Sequence, residues 1–223
     1  MISGSKMIRV FRWISVACLA LAWGPAMAGG EDLRGETLGV ANRALATLQK
    51  MASENLTNYG FKSMGEVSIA KLDEPLPVSM VRLDELRKYN SETKPSALLH
   101  RLNKVIYPVS VEGDTRSSVT IERFEGKWEA STYGDGRWVR SLGQLRKQLF
   151  SSSAASAQSA FLVEVPALDL NFLAFTSAEK LSMIPLFKRR ALELAPGESY
   201  SAERVFSALV PLAQKIKGPD APL

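Results

Sequence analysis

The sequence predicts an α+β fold, an antiparallel sheet packed against amphipathic helices. Three observations carry that expectation. Residues 104–134 alternate apolar and polar side chains across two glycine-containing turns. Apolar stripes at helical spacing mark both ends of the chain after its leader, and its middle. The resulting order is helix, strands, helix, strands, helix. It lacks the regular strand–helix alternation of a doubly wound parallel sheet.

Over residues 33–53, Leu38, Ala41, Leu45, Leu48 and Ala52 recur on one stripe, which predicts an amphipathic helix. Asn55 to Gly60 should end it. Glu66–Leu72 alternates, with Val67 and Ile69 on one side, and reads as a strand. Pro77–Leu83 reads as a second, less regular extended piece. Short helices are expected near 83–89 and over 95–103, where Pro95 suits a first helical turn.

The strongest pattern follows. Val105, Tyr107, Val109 and Val111 share a face, and Glu112-Gly113-Asp114 turns the chain. Ser117, Val119, Ile121 and Arg123 take alternate positions of the next strand, and Glu125-Gly126 turns again. Trp128, Ala130 and Thr132 alternate in a third strand, which Tyr133-Gly134-Asp135-Gly136 ends. This predicts a three-stranded antiparallel meander with one buried and one wet face. Pro108 has no N–H for a ladder, which places its strand at an edge or at a bulge. Trp138, Leu142, Leu145 and Leu149 then mark a helix expected across the apolar face of the meander.

Ser151–Ala160 is uncharged and rich in serine and alanine, the best linker or loop candidate. Phe161–Val165, Leu168–Phe175 and Leu181–Phe187 read as strands, with Lys188-Arg189-Arg190 running on toward solvent. Ser201–Lys217 closes the chain as a helix with Val205, Leu209, Leu212 and Ile216 on its stripe; Pro211 should kink it or end it early. The tail Gly218–Leu223 should fray. The expected organisation is a leader at 1–28, an α+β unit or first half at 29–150, a linker or loop at 151–160, and a second α+β half at 161–217, in the same domain or a second one.

The leader reads as a Sec-type signal peptide. Lys6, Arg9 and Arg12 form a positive start, Trp13 to Trp23 a short apolar run, and Gly24-Pro25 a break before Ala26-Met27-Ala28. Cleavage is expected between Ala28 and Gly29. The apolar run is about 11 residues, short of the roughly 20 that span a bilayer. The expected location is therefore periplasmic or secreted, with no membrane span in the mature form. Cleavage would remove Cys18, the only cysteine, and leave no thiolate, disulfide or cysteine metal ligand. It would also remove three of the 28 Lys and Arg residues, leaving 25 basic against 23 acidic. That near balance gives no electrostatic footprint for nucleic acid.

The chemistry-bearing residues are few. His100 is the only histidine, set in the expected 95–103 helix between Leu99 and Arg101. One histidine without a mature cysteine supports neither a Ser-His-Asp arrangement nor a zinc site. Ser91–Lys94 and Ser177–Lys180 match S-x-x-K, but no K-T-G follows. Calcium and phosphate loops are not present as motifs, and Asp135 reads as a turn residue. Glu122, Glu125 and Glu129 share one hairpin and read as solvated charges. No metal and no cofactor are expected. Trp128, Tyr133 and Trp138 bracket one strand end and the next helix start, and are the candidate ligand-binding residues.

These readings converge on an exported, non-enzymatic module that binds a protein, peptide or envelope component through a sheet edge or the aromatics near Tyr133. Two other classes carry weight: a hydrolase using carboxylates or Ser with Lys, and a small-ligand or lipid carrier with a cavity between sheet and helices. The leader makes the first prediction. Intact-mass measurement on protein from the cell envelope should find Gly29 as the first residue; a mass that includes residues 1–28 would refute export with cleavage.

Overall fold

The computed structural model describes residues 30–134, 136–152, 160–177, 180–190 and 192–216. The expected leader with its Ala28–Gly29 junction, Asp135, most of the serine-alanine stretch and the tail Gly218–Leu223 lie outside the described residues.

Helix α1 (Gly30–Glu54) buries Ala41, Ala44, Leu48 and Ala52. Small side chains on that stripe let the helix lie close to the sheet. There, buried Thr37 shares a 2.7 Å hydrogen bond with the Tyr107 hydroxyl. A short 3-10 turn at Thr57–Tyr59 ends on Gly60, whose φ of +84° is left-handed.

The stretch read as a first strand is mostly helix. α2 spans Met64–Ile69, and only β1 (Lys71–Leu72) is extended. End chemistry decides this. The Ser63 hydroxyl accepts from the Glu66 N–H at 3.2 Å, while the Glu66 carboxylate accepts from the Lys62 N–H at 2.7 Å. This pairing resembles a capping box and outweighs the alternation. Val67 is buried, whereas Ile69 is exposed.

β2 (Leu76–Met80) and α3 (Leu83–Lys88) follow as expected. The helix expected over 95–103 shrinks to a 3-10 turn at Pro95–Leu98. Its remainder joins β3 (His100–Val111), because His100 and Arg101 pair with Met80 and Ser79 of β2. β4 (Asp114–Phe124) and β5 (Lys127–Tyr133) complete the meander, with Val105 opposite Ile121 and Tyr107 opposite Val119. The expected alternation of Trp128, Ala130 and Thr132 breaks at a bulge: Thr120 pairs with Thr132 and Ile121 with Ala130, which leaves Ser131 as an extra residue and turns Thr132 to the face opposite Trp128 and Ala130. Both hairpins turn on residue pairs with positive φ, Glu112-Gly113 and Glu125-Gly126. Such turns match the twist of paired strands. Pro108 lies in an internal strand, but in a gap between that strand's partners. β2 pairs as far as Ile106 and β1 from Val109, while the Pro108 carbonyl accepts from the Asp73 N–H at 2.8 Å.

After α4 (Gly136–Ser152) come β6 (Ala160–Val165), β7 (Leu170–Ser177), β8 (Lys180–Pro185), β9 (Tyr200–Ser201) and α5 (Ala202–Lys215). α5 continues through Pro211 rather than stopping there. Val205, Phe206 and Leu209 hold one side in the core, and Arg87 caps the last turn by donating to the carbonyls of Ala213 and Ile216.

The described strands form one nine-stranded sheet in the order β5-β4-β3-β2-β6-β7-β8-β9, with β1 beside β3. β2 and β6 pair in parallel; the other ladders are antiparallel. The fold is thus α+β with a mostly antiparallel sheet. On one face, α1 and α2 cover Val105, Tyr107, Val119 and Ile121, while α3 and α5 cover Phe161, Val163, Phe172 and Met183. α4 does not lie across the apolar face of the meander as expected, because α1 occupies it. It packs on the other face, against Leu76, Val78, Ile106, Leu162 and Leu173. The middle of the sheet is therefore buried on both sides.

Two glycines should respond oppositely to alanine. A Cβ at Gly60 would run into the Arg116 carbonyl, and the backbone there is left-handed. A Cβ at Gly35 meets open space on α1. Gly60→Ala should cost roughly 1–3 kcal/mol in denaturant unfolding, whereas Gly35→Ala should add about 1 kcal/mol. Equal effects at the two sites would contradict the packing of the Gly60 turn against β4.

Candidate functional site

α4 shields only part of its face of the sheet. Beside it lies a cleft of about 550 Å³. Its floor is the exposed end of a row that strand register creates. Lys104 on β3 stands opposite Glu122 on β4, Glu122 opposite Glu129 on β5, and Glu164 on β6 opposite Asn171 on β7. Thr120, Thr132, Ile106 and Leu162 fill the floor between these groups, and Trp138 and Phe187 flank it.

Lys104 reaches across β2 to Glu164, with Nζ 2.9 Å from Oε1. The two side chains keep 25% and 21% of their exposure. Such partial shielding gives this pair more weight than a fully solvated one. The side chain of Glu122, next to Lys104 in register, has no hydrogen bond or ion pair among the described residues. Asp169 lines the mouth and lies 3.7 Å from the Arg189 guanidinium. The lining thus holds one ammonium against three carboxylates, with one of the three, Glu122, uncompensated. Two threonine hydroxyls and the Asn171 amide supply neutral hydrogen bonds, and Trp138 supplies an aromatic wall.

The edges of the cleft are held firmly. The Ser118 hydroxyl donates to the Gly134 carbonyl at 2.8 Å, and the Gly134 N–H donates to the Ser118 carbonyl at 2.9 Å. These bonds set the end of β5 where α4 begins. Further along α4, buried Arg146 donates to the Glu74 carbonyl at 2.9 Å, tying the helix to the β1–β2 connection. Burial pushes the Arg146 guanidinium below its ordinary pKa. Next to it, burial raises the Asp73 carboxyl despite the opposing hydrogen bond from Ser110.

The three aromatic candidates do not form one site. Trp128 and Tyr133 pack against the α1 side, and the Trp128 indole donates to Glu36 at 2.8 Å. Trp138 lies on the other side and lines the cleft. His100 stands at the start of β3, not on a helix, with its Nε2 against the Glu85 carboxylate. Ser177 and Lys180 face each other across the β7–β8 pairing, and Ser91 and Lys94 lie in the connection between α3 and β3. Of the hairpin acids, Glu122 enters the cleft, and Glu125 is a turn residue. Among the described residues there is no group of three or more His, Cys, Asp or Glu able to hold a metal ion.

Sequence reasoning passed over Lys104, Glu164 and Asn171. A usable signal existed. Glu164 interrupts the apolar run Phe161–Val165, and a charge inside such a run marks a strand with one open position. Compared with protein-family models, curated proteins and solved structures, the chain matches none.

The Lys104–Glu164 pair is directly measurable. A double-mutant cycle with Lys104→Met and Glu164→Gln, followed by denaturant unfolding, should return a coupling of about 1 kcal/mol. A coupling indistinguishable from zero would mean that the pair is not held in solution.

Proposed function

We propose that this chain is an exported, non-enzymatic binding protein, and that the cleft beside α4 holds a small ligand bearing an ammonium or guanidinium group on an apolar body. One observation carries the reading: the Glu122 carboxylate stands in a partly shielded cleft, and the lysine opposite it in register, Lys104, is already paired with Glu164. A cationic ligand completes that charge row. Its apolar body lies along Ile106, Leu162 and Trp138, and its polar atoms meet Thr120, Thr132 and Asn171.

The volume supports the same reading, since small-ligand sites run from roughly 300 to 1,000 Å³. The alternative of strand addition at the sheet edge is less well supported. β5 is an end strand, but it exposes Lys127 and Glu129, and charges on an edge discourage added strands. Among the described residues, no helix is long and apolar enough to cross a membrane.

Isothermal titration with arylalkyl amines, alkyl guanidines and their carboxylate counterparts tests the proposal. The cations should bind and the carboxylates should not. Glu122→Gln should weaken binding about tenfold or more, as expected for loss of a charge-assisted hydrogen bond. Equal binding of amines and carboxylates, or an unaltered affinity in Glu122→Gln, would rule the reading out.

A further inference from the structure

A second hollow lies where α4 crosses the start of β4, and it shares no lining residue with the cleft. Its volume is about 120 Å³, well below the size of a nucleoside or sugar site. One wall is the face of α4 that carries Arg140, Gln144 and Lys147, positions on successive turns of one side of a helix. The other wall is Asp114, Thr115 and Arg116 of β4. Gly143 lies between them. Any side chain there would collide with Thr115, so the glycine lets the two elements meet closely enough to form the hollow.

The charges do not balance. Arg116 gives its Nη2 to Glu66 at 3.1 Å, and Lys147 gives its Nζ to Asp114 at 2.7 Å. The side chain of Arg140 has no hydrogen bond or ion pair among the described residues. Three cations therefore meet two carboxylates.

We propose that this hollow binds a protonated oxyanion, inorganic phosphate or the head of a phosphate monoester, through Arg140, Lys147 and Arg116, with Asp114 reading the proton. The guanidinium groups match oxyanion geometry, and Gln144 and Thr115 add neutral donors. Asp114 supplies the selectivity. A carboxylate only accepts, so it repels sulfate but takes a hydrogen bond from the remaining O–H of hydrogen phosphate. Its lysine partner holds its pKa below the ordinary carboxylate value, so it stays an acceptor at about pH 5, where a phosphate monoester still carries its O–H. The site is independent of the amine-binding reading of the cleft.

The test uses the full chain at about pH 5, below the second phosphate pKa of about 6, so that inorganic phosphate and its monoesters both keep an O–H, and at fixed ionic strength, with calorimetry and thermal unfolding. Inorganic phosphate and glycerol phosphate should bind saturably, and sulfate about tenfold more weakly or worse. Arg140→Gln should reduce phosphate binding about tenfold while the fold, checked by circular dichroism, is unaltered. Asp114→Asn should bring sulfate and phosphate to similar affinity. Glu122→Gln should leave phosphate binding as it was, which separates this site from the cleft. Flotation with vesicles of phosphatidylcholine, with and without phosphatidic acid, identifies the source. Binding confined to phosphatidic acid assigns the headgroup of a lipid, and a response to the soluble esters assigns a free ligand. Sulfate binding equal to phosphate, indifference to Arg140→Gln, or no response to any phosphate would overturn the proposal.

Discussion

The parallel pairing of β2 with β6 is the joint on which the rest of the molecule depends. Val78, Ser79 and Met80 lie against Leu162, Val163 and Glu164. Between these strands the chain travels through the whole meander and α4, so a long crossover must close before the ladder can form. Once closed, the joint makes one sheet from two strand groups. It also sets Lys104 and Glu164, 60 residues apart in sequence, within hydrogen-bonding reach.

Burial of both faces of this joint explains how the helices are shared out. On one side, α1 and α2 take the β3–β5 region, and α3 and α5 take the β6–β8 region. Among the described residues, that leaves the other side to α4 alone, which covers Leu76, Val78, Leu162 and Leu173 but not the polar row beyond. The cleft is the part of the sheet that a single helix leaves open. The polar row on its floor follows from the same fact, because apolar groups left in water there would gain nothing from folding.

α4 separates two surfaces of opposite character. Toward the cleft it presents Trp138 beside a lining in which carboxylates outnumber the ammonium. Toward the start of β4 it presents Arg140 and Lys147. Its position is fixed between them by Arg146, which bonds the Glu74 carbonyl while Arg34 holds the Glu74 carboxylate at 2.7 Å and 2.8 Å. Register on the sheet and periodicity on the helix thus generate most of both candidate sites, and the connections add Gly134, Asp169 and Phe187 to the cleft.

Local pattern determined a great deal. Period-two alternation with Glu-Gly turns placed the meander, and helical stripes placed α1, α4 and α5, because those signals act over a few residues and reflect one buried face. They failed where a local capping bond won, as at Ser63 and Glu66, or where a distant partner recruited residues, as β2 does for His100 and Arg101. The aromatic residues near Tyr133 were legible as a group in sequence, yet a bulge at Ser131 of β5 brings Trp128 and Tyr133, five residues apart, to one side, while Trp138 lies on the other. Glu122 was visible as a hairpin acid, but its neighbour Lys104 and the distant Glu164 gave it meaning only through register. By itself, then, the order of residues determined the fold class and most of the elements. Tertiary structure alone decided which helix covered which face, and therefore which charges remained open to a ligand, because those choices rest on pairings between strands far apart in the chain.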